Sequence, residues 1–306
     1  MKGRKIITLC CSTVLLVFIA VMAGSMYMLD FSLKAVPQEE RLYSIAHADS
    51  MAEAFRDTFV VMPSGERHHA IFMRNDSARG RTAIVVHGYK DNCMKFSPIA
   101  MMYYRSMGYN ILLPDLHGHG KSEGEDIRMG WYDRWDVLHW TKVAESIFRD
   151  STETSRMVLH GVSMGAATVM CLSGESDLPE YIRCFVEDCG YSSVWEEFSM
   201  QLKEQFSLPP FPLMYTTDML CRMRYGWGFR EASPLDMVVR CRRPMLFIHG
   251  DADTFVPFAM LQPLYDAKPE PKMKWIAEGS EHACAYKDHP EEYAAEVKTF
   301  LERYME

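Results

Sequence analysis

Residues 159–166 read Leu-His-Gly-Val-Ser-Met-Gly-Ala, and this stretch decides the fold. An apolar run precedes it and a helical pattern follows, which predicts a strand, a sharp turn and a helix in succession. Its G-x-S-x-G pattern places Ser163 at the turn, where Gly161 and Gly165 let strand and helix approach closely. This context favours a nucleophilic serine over a plain glycine-rich turn, and the N–H of Met164 at the helix start is suited to stabilising an oxyanion.

Apolar runs and helical patterns alternate on both sides of this stretch. Strands are predicted at 58–62, 69–73, 82–87, 110–114, 156–161, 182–187, 245–249 and 273–276, and helices at 131–148, 163–172 and 291–304. Such alternation predicts a doubly wound, mostly parallel sheet. The fully apolar runs 83–86 and 245–248 are typical of central strands that are covered on both faces. Ligands bind at the carboxyl ends of the strands in such sheets, so the chemistry is expected there.

One long segment, residues 191–243, interrupts the alternation. It contains Pro-Pro-Phe-Pro at 209–212 and a stretch rich in methionine and aromatic residues. Side chains this apolar must be buried against something, so we predict a small helical cap that roofs the strand ends. Methionines beside aromatic rings would give it an adaptable, largely apolar pocket.

The overall composition excludes several classes of protein. The 306 residues are 48% hydrophobic and 24% charged, which predicts a globular chain with a core rather than disorder. The net charge of −8 argues against a nucleic-acid partner, which would require a basic face. The nine cysteines are too sparse for a disulfide scaffold, and they contain no C-x-x-C pair for a structural zinc site.

The N-terminus begins with Met-Lys-Gly-Arg-Lys and continues without charge from Ile6 to Met28. At ~1.5 Å per residue this run is long enough to cross a hydrocarbon layer of about 30 Å. The basic flank should stay in the cytoplasm, which places the rest of the chain outside as a single-pass membrane protein. A signal peptide cleaved after Ala23, giving a secreted protein, is the alternative, and lipid attachment at Cys10 is disfavoured.

These features predict three segments along the chain. Residues 1–30 form a signal anchor, residues 31–51 a linker, and residues 52–306 the main domain with its insertion at about 191–243. Because the motifs lie far beyond the anchor, a chain that begins near Phe31 is expected to be soluble and active.

A serine nucleophile requires a base and a carboxylate, which follow it in the order acid and then histidine in this kind of fold. The run 245–257 ends in Gly-Asp-Ala-Asp-Thr-Phe-Val-Pro, so Asp251 and Asp253 both follow a central strand. An Asx-type turn is the structural alternative for either aspartate. His282 follows the last predicted strand, and His289 stands further on, at a helix start.

With these motifs the chain resembles the α/β hydrolases, in particular a membrane-anchored bacterial group similar to the serine aminopeptidase S33-like hydrolases. The resemblance covers nearly all of the chain after Ala52 and implies an α/β-hydrolase fold with a small helical cap. The family's acid in G-x-x-D-x-x-V-P falls on Asp253, and its histidine falls on His282. The family's H-G-x motif falls on residues 87–89, which implies that the backbone N–H of Tyr89 joins that of Met164 in an oxyanion hole.

Four further residues invite a functional interpretation. His87 is interpreted as a packed side chain that shapes its loop. His117 and His119 have the spacing of a metal pair, but no third ligand is evident and a glycine-rich turn explains them better. Cys284 lies near His282 in sequence and is interpreted as a small buried residue rather than a reactive thiol.

The sequence therefore predicts a serine hydrolase in which Ser163, His282 and Asp253 cleave acyl esters, without a cofactor or a metal. A serine peptidase with the same residues is the alternative and would require a carboxylate that binds a substrate amine. A non-catalytic anchored binding protein is a further alternative. The expected partners are a small acyl substrate or short peptide and the membrane, with no nucleic acid.

Overall fold

The structure is a computed structural model that describes residues 2–37, 39–41 and 55–305. Its strands are β1 (Arg56–Val61), β2 (Arg67–Met73), β3 (Arg81–Val86), β4 (Asn110–Pro114), β5 (Arg156–Val162), β6 (Ile182–Asp188), β7 (Met245–Gly250) and β8 (Lys272–Ala277). They form one sheet in the order β1-β2-β4-β3-β5-β6-β7-β8. Strand β2 is antiparallel to both neighbours and the other pairs are parallel, so the predicted mostly parallel sheet is confirmed.

The helices are α1 (Lys2–Leu33), α2 (Ser97–Met107), α3 (Asp133–Phe148), α4 (Met164–Ser173), α5 (Val194–Phe206), α6 (Leu213–Tyr225), α7 (Pro234–Val238), α8 (Leu261–Ala267), α9 (Ala285–Asp288) and α10 (Pro290–Tyr304). Buried apolar side chains form two clusters, one on each face of the sheet. Strand β5 supplies both, because Leu159 belongs to the cluster with α3 and α4 while Val158 belongs to the cluster with α2 and α10.

The register of the parallel strands brings several loops to one edge of the sheet. The last residues of β5 and β6 pair with each other as Val162 and Asp188, and Asp188 pairs in turn with Ile248 of β7. Since the strands run in the same direction, the loops after β3, β5, β6, β7 and β8 leave from the same edge. This is the edge at which the sequence predicts the chemistry.

Residues 191–243 contain the helices α5, α6 and α7, as the cap prediction requires. Helix α5 begins at a regular N-cap, where the Ser193 hydroxyl accepts a hydrogen bond from the Glu196 N–H at 3.1 Å. Leu202 of α5 and Met214 of α6 are buried and line the same pocket as Ser163. The cap therefore roofs the carboxyl edge of the sheet.

Helix α1 is exposed over much of its length, and its segment Leu9–Leu33 is long and apolar enough to cross a membrane. Its last turns behave differently, because Leu29 and Leu33 are buried. The Ser25 hydroxyl hydrogen-bonds to Thr216 of α6, and Asp30 pairs with an α6 arginine. The end of α1 is therefore packed against the cap.

The predicted linker differs from the structure at its start. Residues 31–33 are helical, because α1 continues to Leu33. The Ala35 N–H also donates to the Glu125 carbonyl at 3.0 Å, which ties the chain after the helix to the main body. Residues 38 and 42–51 of the linker, and residues 52–54 at the predicted start of the main domain, lie outside the described residues.

Candidate active site

Ser163 occupies a strained position between β5 and α4. Its φ of +57° and ψ of −118° lie in a region that non-glycine residues rarely adopt. Two glycines permit the close approach around it: a Cβ on Gly161 would lie 2.0 Å from the Gly165 carbonyl oxygen, and one on Gly165 would lie 2.1 Å from that of Val86. The Ser163 N–H donates to the Asp188 carbonyl at 2.8 Å, which holds the turn against β6.

The structure brings Ser163, His282 and Asp253 into one hydrogen-bonded chain. His282 Nε2 lies 2.9 Å from the Ser163 Oγ, and His282 Nδ1 lies 2.7 Å from Asp253 Oδ2. With an ionised aspartate, Nδ1–H donates to the carboxylate and Nε2 is free to accept the serine proton. The three side chains come from loops after β5, β7 and β8, which meet only because the strand ends align.

Asp253 is buried, and its carboxylate is held from both sides. Its Oδ1 accepts hydrogen bonds from the N–H groups of Phe255 and Val256 at 2.9 and 3.0 Å. Burial raises the pKa of Asp253, but hydrogen bonds from His249 and His282 outweigh that effect and hold the pKa below its usual value. The carboxylate therefore stays ionised next to the imidazole at neutral pH.

Asp251, the other candidate acid, points elsewhere. It is exposed, and its Oδ1 accepts a hydrogen bond from the Gly279 N–H at 2.6 Å. This bond joins the loops after β7 and β8, which is a structural role of the Asx type. The geometry separates the two aspartates, with Asp253 on His282 and Asp251 on the backbone.

Sequence reasoning missed His249, a buried residue near the end of β7. Its Nε2–H donates to the Val256 carbonyl at 2.9 Å and lies 3.3 Å from Asp253 Oδ2. Burial lowers the pKa of His249, but the hydrogen bond to Asp253 and the charge of Glu187 outweigh it and raise the pKa above its usual value. The sequence signal that was available is the place of His249 near the end of a predicted strand, directly before Gly250. A side chain there lies close to the loop that follows the strand.

Cys189 was also missed. It has a φ of +50° in the loop after β6. Its sulfur lies within 4.8 Å of ligand atoms of Asp253 and His282. Burial raises the pKa of the Cys189 thiol well above its usual value, so the group is a neutral packing neighbour at pH 7. Cys284, which the sequence placed near His282, is only half-buried.

The loop after β3 lies directly against the serine. A Cβ on Gly88 would stand 3.4 Å from the Ser163 Cβ. Tyr89 and Met164 both line the pocket that contains Ser163, and the Tyr89 hydroxyl donates to the Ser32 carbonyl at 2.8 Å. His87 is buried, with ring nitrogens 2.8 Å from the Gly88 carbonyl oxygen and 3.0 Å from the Leu116 N–H. These bonds fit a packed side chain that shapes the loop.

The two histidines considered as a metal pair have separate environments. His119 hydrogen-bonds to the His117 carbonyl and to the Lys90 N–H. His117 lies between Glu66 and Asp126, at 3.1 Å from each. Glu66 is a neighbour of His117 that the sequence did not reveal, but its carboxylate also pairs with the Arg128 guanidinium at 3.1 Å. The acidic side chains here therefore already have a cationic partner.

The serine opens into a largely apolar pocket with a cavity volume of about 90 Å³. The cap supplies Phe198, Leu202 and Met214 to its walls. Among the described residues that line the pocket, Glu197 of α5 is the one with a carboxyl group. It is buried and accepts a hydrogen bond from Gln201 at 3.0 Å, and burial raises its pKa to about 8. At pH 7 this pocket is therefore apolar and nearly uncharged.

A model of the alpha/beta hydrolase family matches residues 83–296, which include the turn at Ser163, both acid candidates and His282. The chain belongs to the α/β hydrolase family. The α/β-hydrolase fold that the sequence resemblance implied is therefore confirmed.

Two relatives of this hydrolase are similar over most of their lengths. It is 31% identical over 223 residues to YqkD, an uncharacterized protein of Bacillus subtilis (strain 168), covering 72% of this chain and 71% of that protein. It is 25% identical over 224 residues to YfhR, an uncharacterized protein of Escherichia coli (strain K12), covering 72% of this chain and 69% of that protein.

Solved structures share the fold at lower identity. The Pyrococcus furiosus esterase Pf2001 matches with a TM-score of 0.65 at 22% identity, covering 82% of this chain and 93% of the esterase. The Pyrococcus horikoshii acylaminoacyl peptidase matches with a TM-score of 0.59 at 16% identity, covering 82% of this chain and 41% of the peptidase. The hydrolase scaffold is thus shared by an esterase and a peptidase, and the fold alone is compatible with ester and amide substrates.

Proposed function

We propose that this hydrolase is a serine esterase that cleaves carboxylic esters through an acyl-enzyme. The observation that carries the proposal is the hydrogen-bonded chain of Ser163, His282 and Asp253 at the carboxyl edge of the sheet, with distances of 2.9 and 2.7 Å. A base within hydrogen-bond reach of the serine, itself oriented by a carboxylate, is the arrangement that activates a hydroxyl nucleophile.

The proposed reaction has two halves. The Ser163 Oγ attacks the ester carbonyl while its proton passes to His282 Nε2, and the backbone N–H groups of Tyr89 and Met164 stabilise the oxyanion. The carbonyl re-forms as the alcohol leaves with the proton from His282, which gives the acyl-enzyme. A water molecule then attacks, His282 takes its proton and returns it to the Ser163 Oγ, and the acid is released.

The electrostatics of this arrangement favour the imidazolium that forms in each half. The ionised Asp253 balances its charge from 2.7 Å, in a buried position that water screens poorly. His249 and two backbone N–H groups hold that carboxylate in place, so little reorganisation accompanies the proton transfer. The apolar pocket favours an acyl group over a charged peptide.

One observation favours a second function, a serine aminopeptidase similar to the S33-like group. Such an enzyme requires a carboxylate for the substrate amine, and Glu197 is a carboxyl group in the pocket wall. Its pKa of about 8 leaves it mostly neutral at pH 7, so it would have to lose its proton before it could pair with a substrate ammonium group. The esterase is therefore preferred.

We further propose that α1 anchors the enzyme as a single-pass membrane protein, with its basic N-terminus in the cytoplasm and the hydrolase domain outside. The apolar segment Leu9–Leu33 supports this placement, as does the basic flank before it. In cells the protein should fractionate with membranes, and protease added outside should degrade the hydrolase domain. Recovery of a soluble protein that begins after Ala23 would instead establish secretion.

Labelling with a fluorophosphonate, followed by a panel of esters and peptides, tests the catalytic proposal. Ser163→Ala should abolish both labelling and ester hydrolysis, since loss of such a serine costs about 10⁴-fold to 10⁶-fold in rate. Ser106→Ala, at an exposed position on α2, is the matched control and should leave both unchanged. Retained labelling in a folded Ser163→Ala protein would refute the assignment. Removal of N-terminal residues from peptides, without activity on esters, would favour the aminopeptidase.

A further inference from the structure

The last two turns of α1 form one wall of the active-site pocket. Met28, Phe31 and Ser32 line the same pocket as Ser163. The Ser32 carbonyl also accepts the hydrogen bond from Tyr89, whose backbone belongs to the proposed oxyanion loop. The helix that the sequence treats as a separable anchor is therefore continuous with the substrate-binding surface.

Contacts between α1 and α6 show how the cap is oriented along the anchor. A Cβ on Gly24 would lie 3.1 Å from the Leu213 side chain at the start of α6, and Asp30 pairs at 2.6 Å with Arg224 near its end. The two helices therefore run in the same direction. The start of α6 faces the uncharged part of α1, and its end lies beside the first charge after that run.

This orientation places the tip of the cap beside the membrane. The uncharged run 6–28 spans about 34 Å at ~1.5 Å per residue, which matches a hydrocarbon layer of about 30 Å. Gly24 therefore lies near the outer boundary of that layer, and the cap tip that precedes Leu213 lies beside it. Phe211 on that tip is 71% exposed, and Tyr215 and Met219 on α6 are 48% and 46% exposed. Aromatic and apolar side chains so exposed are typical of a surface that contacts lipid.

The mouth of the pocket opens at the same seam. Phe31 of α1, Phe206 of α5 and Phe255 of the loop after β7 all line the pocket and are 44%, 37% and 45% exposed. The rings of Phe31 and Phe206 meet edge to face, with centroids 5.8 Å apart, between the anchor and the cap. Phe31 is only three residues beyond Met28, so this mouth lies about one helical turn above the end of the uncharged run.

We propose that the substrate is an acyl ester dissolved in the lipid bilayer, which enters between α1 and the cap and places its acyl chain in the pocket lined by Met28. The proposal rests on the proposed esterase function and names its substrate class. An apolar route from bilayer to serine spares the acyl chain a transfer through water, which is unfavourable for every CH₂ group that it exposes.

The test uses the full chain in phosphatidylcholine vesicles. One substrate is 1-oleoylglycerol in the same vesicles, and the other is water-soluble 4-nitrophenyl acetate. If the ester is drawn from the bilayer, the rate of oleate release per enzyme molecule should follow the mole fraction of 1-oleoylglycerol in the vesicles. This rate per enzyme molecule should stay constant when the whole suspension is diluted tenfold. A rate that falls with the bulk concentration would overturn the proposal.

Two variants locate the route. Met28→Trp narrows the pocket wall and should lower the ratio of oleoyl to acetyl ester hydrolysis at least tenfold. Leu16→Trp, an exposed position on the same helix, should leave this ratio unchanged. Phe211→Asp adds a charge at the cap tip and should lower the ratio similarly, whereas Val239→Asp, an exposed position remote from the tip in sequence, should not.

The outcomes separate this inference from the function on which it rests. Loss of both acetate hydrolysis and fluorophosphonate labelling would refute the esterase itself. Acetate hydrolysis and labelling without oleate release would overturn the membrane route alone. Unchanged ratios in Met28→Trp and Phe211→Asp would also overturn it, as would a dimer in which a second copy covers the cap tip.

Discussion

Replacement of Asp253 by asparagine should disable the base without disturbing the loop that carries it. The orientation of the new amide follows from the structure. Two backbone N–H groups, from Phe255 and Val256, donate to Oδ1 at 2.9 and 3.0 Å, so the amide must keep its oxygen there. Its NH₂ group then occupies the position of Oδ2, which lies 2.7 Å from His282 Nδ1.

A donor at that position forces His282 into the wrong tautomer. Nδ1 must accept from the amide, so the ring proton moves to Nε2, which can then no longer take the proton of Ser163. Loss of the correct tautomer in a comparable serine enzyme costs about 10⁴-fold in turnover, equivalent to about 5.5 kcal/mol of transition-state stabilisation. We expect kcat for a soluble ester to fall by about this factor.

The assay measures kcat and KM on 4-nitrophenyl acetate together with thermal unfolding. Asp251→Asn is the matched control, because Asp251 accepts a hydrogen bond from the Gly279 N–H rather than from His282. It should keep kcat within about threefold. A fall of less than tenfold in Asp253→Asn, or a larger loss in Asp251→Asn at equal stability, would refute the assigned roles.

Two further predictions concern the buried charges. His249→Phe removes one hydrogen-bond partner of Asp253, so the pKa of Asp253 should rise. We expect kcat/KM to fall about tenfold, with a larger loss at acid pH, where the carboxylate becomes protonated. A pH–rate profile that does not shift would contradict this. Burial raises the pKa of Glu197 from its ordinary value of 4.5 to about 8, so the folded state binds this proton more tightly than the unfolded chain does. The wild type therefore loses stability as the pH rises between these two values. The difference in Tm between Glu197→Gln and the wild type should therefore grow from pH 5 to pH 8 in favour of the variant, and it should level off above pH 8. The variant should keep ester hydrolysis. Loss of peptide cleavage alone would favour the aminopeptidase.

The elements that the sequence predicted well are governed by local physical constraints. The strands follow from apolar runs whose alternate residues pack on the two faces of the sheet, as Val158 and Leu159 do. The turn at Ser163 follows from sterics within five residues, since only glycine fits at 161 and 165. Asp253 and His282 could be proposed from the order of motifs along the chain, because the loops after parallel strands necessarily share one edge of the sheet.

The sequence by itself thus determined the class of fold, the sharp turn at Ser163 and an apolar N-terminal helix. Only the tertiary structure decided which side chains surround that turn. His249, Cys189 and Glu197 reach the site through loops and a cap helix whose paths no local pattern specifies. The packing of α1 on α6 joins residues about 190 positions apart, Ser25 and Thr216, so it depends on where the cap folds. For this reason the same apolar helix reads as a separable anchor in the sequence and forms a wall of the pocket in the folded chain.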